Sequence, residues 1–172
     1  MRSIKLVLQL TAVLVLCFPI ILSADQTDHR LDDLFQTLKS SQDSEELLET
    51  ESAIWKIWHE SGQEIIDAMM QEAEKLLLNG DLSAAEKAYS RVIDEIPEFS
   101  EGWNRRATVR YYQHDYAGSL EDIEQTLKLE PRHFGAFWGL GMILGSQQNF
   151  ERAIIAFERL LEIKPNASDA RP

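Results

Sequence analysis

Few side chains in this sequence have the type and spacing that covalent or metal chemistry needs. His29, His59, His114 and His133 are scattered, and none stands at metal-ligand spacing from another histidine or in a histidine-glutamate zinc motif. No serine sits in a G-x-S-x-G turn. The stretch RHFGAFWGLG, Arg132 to Gly141, is rich in glycine, but the spacing of Gly135, Gly139 and Gly141 is not that of a phosphate-binding loop, and no strand precedes it. The chain's many carboxylates fall on exposed helix faces, where charge serves solvation. Catalysis, a metal site and a bound cofactor are therefore not expected. The chemistry left is recognition.

The N-terminus reads as an export signal. Arg2 and Lys5 precede an uncharged apolar run, Leu6 to Leu22, and Ala24 is the small residue before a polar stretch. Pro19 and the small residues before Asp25 favour cleavage after residue 24, giving a periplasmic or secreted chain without membrane insertion. An uncleaved membrane anchor is the alternative, since the run approaches the roughly 20 apolar residues that span a bilayer. Cys17, the only cysteine, lies in that run behind Leu16, which is too large for a lipoprotein site; a cleaved chain would have no thiol and no disulfide. The whole chain has 17 basic and 29 acidic residues, and without Arg2 and Lys5 the count is 15 against 29, a balance of −14. Such a field repels nucleic acid and anionic lipid, so a protein or peptide is the expected partner.

A repeat organises the rest. Pro97, Pro131 and Pro165 recur every 34 residues, as do Asp81, Asp115 and Asn149. The same offset joins the small residues Ala85, Ser119 and Ala153, the small set Ala73, Ala107 and Gly141, and the large residues Tyr89, Ile123 and Phe157. Each unit reads as two helices. Phe150, Ala153, Ile154, Phe157, Leu160 and Leu161 follow steps of three and four that place them on one face. Asp or Asn just before each second helix can accept its free amide protons, and proline closes the unit.

With Trp103 or Phe137 early, a small residue four places on, Ala or Ser after the turn and a final proline, the unit resembles the tetratricopeptide repeat. The resemblance covers Ile66 to Ala167 as three repeats, 66–99, 100–133 and 134–167, with a short tail at 168–172; the first has Met69 and Glu72 where an aromatic and a leucine are usual. It implies an all-α fold, a right-handed superhelical stack of antiparallel helical hairpins, whose first helices line a concave groove that holds other polypeptides. In that register the groove positions are Asn104, Arg105, Thr108 and Tyr111, joined by Trp138 and Met142. Asparagine can bond a peptide backbone in both directions, Arg105 can grip a carboxylate, and Tyr111 and Trp138 offer flat apolar area. The chaperone-tail clamp known in this family is absent, because its places hold Met70, Glu74, Arg105, Gly135 and Gly139. Gly141 falls where two helices must approach closely; the other glycines of that helix mark either a loosely built repeat or a recess beside Trp138 and Met142.

Residues 25–65 contain two more helical patterns, with Asp43 and Glu46 spaced as a capping box. They read as a degenerate hairpin that caps the first repeat, with Trp55 and Trp58 as packing residues and Glu51 where a small residue belongs. Arg106 and Arg110, four residues apart in places usually apolar, need acidic partners, for which Glu72 and Asp94 are the candidates; a small anion site is the alternative. No polar helix follows the third repeat. Its exposed apolar residues Ile154, Ile155 and Leu161 are the candidate surface for a second copy or a partner, so a self-associating structural subunit stands as the alternative to a non-catalytic binding scaffold.

Overall fold

The computed structural model describes residues 28–167. The apolar run at 6–22, with Cys17, and the tail at 168–172 lie outside the described residues. Among the described residues the secondary structure is helical throughout: α1 Arg30–Ser40, α2 Ser44–His59, α3 Glu64–Leu78, α4 Leu82–Glu95, α5 Ser100–Tyr112, α6 Tyr116–Leu129, α7 Phe134–Ser146 and α8 Phe150–Ile163. The pairs α3–α4, α5–α6 and α7–α8 form three antiparallel hairpins, and α4 on α5 and α6 on α7 join them into a stack.

The local signals behave as their chemistry requires. Asp81 and Asp115 accept the amide protons of Ala84 and Gly118 at the starts of α4 and α6. Asn149 holds the same position before α8 without that side-chain bond. Asp43 caps α2 by accepting from Glu45 and Glu46, while Glu46 reaches back to the Ser41 hydroxyl, which accepts the Asp43 N–H. A Cβ built at Gly141 would lie 2.5 Å from the Phe157 ring, so glycine is what lets α7 and α8 close on each other.

The α1–α2 hairpin exists, but it does not cap the first repeat. Leu31, Phe35 and Leu38 of α1 and Ile54, Ile57 and Trp58 of α2 bury in one cluster with Phe134, Leu160 and Ala167 of the third unit. The chain turns at Gly62, whose φ of 75° suits a residue without a Cβ. The hairpin then lies across the N-terminal ends of the first helices. Ser61 donates to Asp67 of α3 at 2.6 Å, His59 faces Glu101 of α5, and Trp55 and Trp58 pack on His133 and Phe134. Two residues of α2, Glu51 where the repeat has a small residue and Trp55 at its large position, explain the placement. Glu51 pairs with Lys164 just after α8 at 2.6 Å, and Trp55 fills the space that Gly135 leaves open, where a Cβ would meet its ring at 2.7 Å.

This also changes the picture at the far end of the stack. The inner side of the last unit is covered by the hairpin, and Leu161 and Ile163 pack against that cluster. Leu161 is half-buried there, whereas Ile154 (51%), Ile155 (53%) and Phe150 (62%) of α8 face solvent.

Candidate functional site

Between α5 and α7, the first helices of the second and third units, lies a cavity of about 280 Å³. Asn104, Thr108 and Tyr111 line it from α5, Trp138 and Met142 from α7, and Ile123 of α6 lies beneath. The helical period places these side chains on one face of each helix. Tyr111 packs against Tyr112 and Tyr116 at 5.8 and 5.7 Å between ring centroids, and Trp138 leans on Phe157 at 5.4 Å. Thr108 donates to the Asn104 carbonyl, and the Asn104 amide donates to Glu101 at 2.9 Å. Gly135 and Gly139 also border the cavity, so the wall beside Trp138 is bare backbone.

Arg105 does not join the other five. It pairs with Glu74 of α3, and its Nε lies 3.6 Å from Glu101 Oε1. It borders a separate cleft of about 470 Å³ with His59, Met70 and Tyr89. The acid one helical turn before it and the acid on the neighbouring helix outcompete the groove for its guanidinium. Glu74 also accepts from the Tyr89 hydroxyl at 2.9 Å, and burial pushes that phenol up from its ordinary pKa.

The centre of this second region is Glu101, a fully buried carboxylate under α2. His133 caps α7 by accepting the Ala136 N–H on Nδ1, which puts its proton on Nε2, 3.1 Å from Glu101 Oε2. The same imidazole stacks on Trp58, with 4.2 Å between centroids and 8° between planes. His59 donates through Nδ1 to the Trp55 carbonyl and presents Nε2 to Glu101 Oε1 at 3.3 Å. Thus two histidines that look unrelated in sequence converge on one carboxylate. Their spacing from Glu101 carries no periodic signal that would have revealed it. Among the described residues no group of three or more His, Cys, Asp or Glu is arranged to hold a metal ion.

This cluster has a pH signature. Burial pushes the Glu101 carboxyl up, but the His133 hydrogen bond and the attraction of His133, His59 and Arg105 outweigh it and hold the group below its ordinary range. A depressed folded value contributes stability that is present above the unfolded glutamate pKa, about 4.3, and is lost as pH falls through the folded value. Urea stability followed from about pH 6 to pH 3 is expected to fall on the acid side. Glu101→Gln should start from a lower plateau and show a flatter acid limb; an acid limb unchanged by the substitution would count against this role.

Arg106 and Arg110 are neutralised, but by different acids from those the repeat register suggests. Asp122 of α6, itself 1% exposed, accepts from Arg106 at 2.8 and 2.9 Å and from Arg110 at 3.0 Å. Glu86 completes Arg110, Ser90 completes Arg106, and Arg106 also lies over the Trp103 ring. Glu72 points to solvent beside Lys75, and Asp94 is exposed and adds only a weaker, longer-range attraction to Arg106. Both guanidiniums are paired with protein acids, so no free anion is needed to balance their charge.

Comparison with known proteins agrees with this architecture. The Tetratricopeptide repeat family pattern matches residues 104–168. A TPR repeat-containing protein of Rhizobium etli is 38% identical over 136 residues, which are 79% of this chain and 67% of that protein. The first TPR of Spaghetti (RPAP3), solved bound to the HSP90 peptide SRMEEVD, superposes with a TM-score of 0.59 at 22% identity, over 61% of this chain and 83% of that one. The TPR2B domain of yeast Sti1, in its pHsp70 complex, superposes with a TM-score of 0.57 at 17% identity, over 60% and 86%. The two solved structures share the fold, and the Rhizobium etli relative shares the sequence over two thirds of its length. The chain belongs to the tetratricopeptide repeat family.

Proposed function

We propose that this chain is a non-catalytic holding module that binds a segment of another protein in the cavity between α5 and α7. The observation that carries the reading is that Asn104, Thr108, Tyr111, Trp138 and Met142, from two different repeats, line one solvent-open recess. Aromatic surface beside amide and hydroxyl groups is the composition of a contact site. The solved structures of the same fold, one bound to an HSP90 peptide and one in a pHsp70 complex, lend support as stacks of this kind that hold other polypeptides. The N-terminal sequence pattern supports an exported compartment as the place of work, which N-terminal sequencing of the protein from its native source would test. Among the described residues no helix is long and apolar enough to cross a membrane.

The test is affinity capture from the native cell envelope with this protein beside a Tyr111→Ala/Trp138→Ala variant shown by circular dichroism to be folded. A partner retained by the first and lost from the second is the expected result. Equal capture by both would remove the groove as the working site. The second reading, self-association, is favoured by the exposure of Phe150, Ile154 and Ile155 on α8. Under that reading light scattering would report a dimer that Ile155→Glu converts to a monomer.

A further inference from the structure

The lining of the α5–α7 cavity says what kind of segment it holds. None of its side chains is a lysine, arginine, aspartate, glutamate or histidine. The arginines of α5 are already committed: Arg105 to Glu74, Arg106 to Asp122, and Arg110 to Asp122 and Glu86. A carboxylate entering here would lose its water and gain no cation in return, which is costly. The chain as a whole carries a net charge of −12, which adds a repulsive field.

What the cavity does offer is aromatic and polarisable surface. Tyr111 and Trp138 face it from opposite helices, Met142 supplies an adaptable thioether at the rim, and Gly139 leaves backbone accessible next to Ile123. The volume of about 280 Å³ is just below the usual range for a drug-sized ligand, so it suits one large side chain and not a run of them. Polar groups remain as well, Asn104 among them. The Asn104 amide nitrogen is used by Glu101, while its Oδ1 accepts no bond among the described residues and can take an N–H or O–H.

We infer that the cavity is an anchor site for a single uncharged aromatic side chain, tryptophan or tyrosine, of a partner segment whose neighbouring residues are neutral or basic. This rests on the holding function proposed above and names its partner chemistry. It separates this chain from the first TPR of Spaghetti (RPAP3), whose bound peptide is the acidic SRMEEVD.

The experiment titrates the full chain, labelled with nitrogen-15, with N-acetyl-tryptophanamide and, separately, with the α-amide of N-acetyl-glutamate at the same pH. The tryptophan probe is expected to move the amide signals of Thr108, Gly135 and Gly139 in a saturable way, and the glutamate probe to leave them in place. Gly139→Leu fills the recess and should weaken the tryptophan probe at least tenfold. Because leucine at that position also presses on Ile123, Met142→Glu serves as a second variant; it sets a carboxylate at the rim on a side chain already 39% exposed and should weaken the probe to a similar degree. A glutamate probe that moves the same signals, a tryptophan probe that moves none, or affinities unchanged in both variants would overturn the anchor. If a partner is still captured through Tyr111 and Trp138 in any of those cases, the holding function stands and only its chemistry is wrong.

Discussion

Asp122→Ala is expected to cost this protein about 3–5 kcal/mol, the usual range for removing one member of a buried ion pair. Asp122 is the shared acceptor of two arginines whose side chains are themselves largely buried, 13% and 18% exposed. Without it, Arg106 and Arg110 would lie one turn apart on α5 with only Glu86, Ser90 and the Gly118 carbonyl to offset them. Urea unfolding read by circular dichroism gives the value directly, and the melting temperature should fall by on the order of 10 °C. Glu72→Ala is the control. Its carboxylate is 62% exposed and meets only Lys75 at 3.8 Å, so it should change stability by less than about 0.5 kcal/mol. Equal effects from the two substitutions would mean that the arginines are held in some other way.

Trp58→Ala is the second large effect, again about 3–5 kcal/mol, as for truncation of a fully buried aromatic. Trp58 is completely buried where α2 meets the third unit, stacked on His133, 5.0 Å from Phe134 and 5.3 Å from Trp55. Truncation removes the stack and leaves a cavity between the hairpin and the units. A loss below about 1 kcal/mol would show that the hairpin is not part of the cooperative fold. Capture of a groove partner by this variant would also show whether the hairpin, which packs Trp55 against Gly135 at the edge of the cavity, helps to shape it.

The stack was legible because its information is periodic. Helix starts at Asp81 and Asp115, closing prolines and the small residue at Gly141 each recur at one offset, so each unit corroborates the others. Five of the six residues that register places toward the groove line one cavity, since position in a helix pair dictates which way a side chain faces. Arg105 does not, because an acid on the adjacent helix decides where a guanidinium goes, and register carries no information about that.

The partners of Arg106 and Arg110 were legible in principle. Position 122 aligns with Ala88 and Ala156, so Asp122 is an acid standing where the other units have a small buried residue. An out-of-place acid in the same unit as two out-of-place arginines was a better signal than Glu72 in the unit before. The hairpin was legible as two amphipathic helices but not in its location. What fixes it is complementarity between Trp55 and Gly135, Glu51 and Lys164, and Trp58 and His133, pairs that no repeat offset connects.

That location gives the molecule an unusual order of assembly for a repeat stack. Such stacks are quasi-linear, each unit touching only its neighbours, and they can form or fray from either end. Here the hairpin ties back to the far end of the stack: Arg132 reaches back to Asp32 and Asn166 to Ser41, 100 and 125 residues away. A closure of that length pays its entropy before its apolar contacts return anything, so local hairpins form ahead of it. On the ribosome, α1 and α2 are made before Phe134 and Leu160, the residues that bury them. Their apolar stripes are not fully covered until the last unit is complete, so of the described helices the two made first complete their burial last.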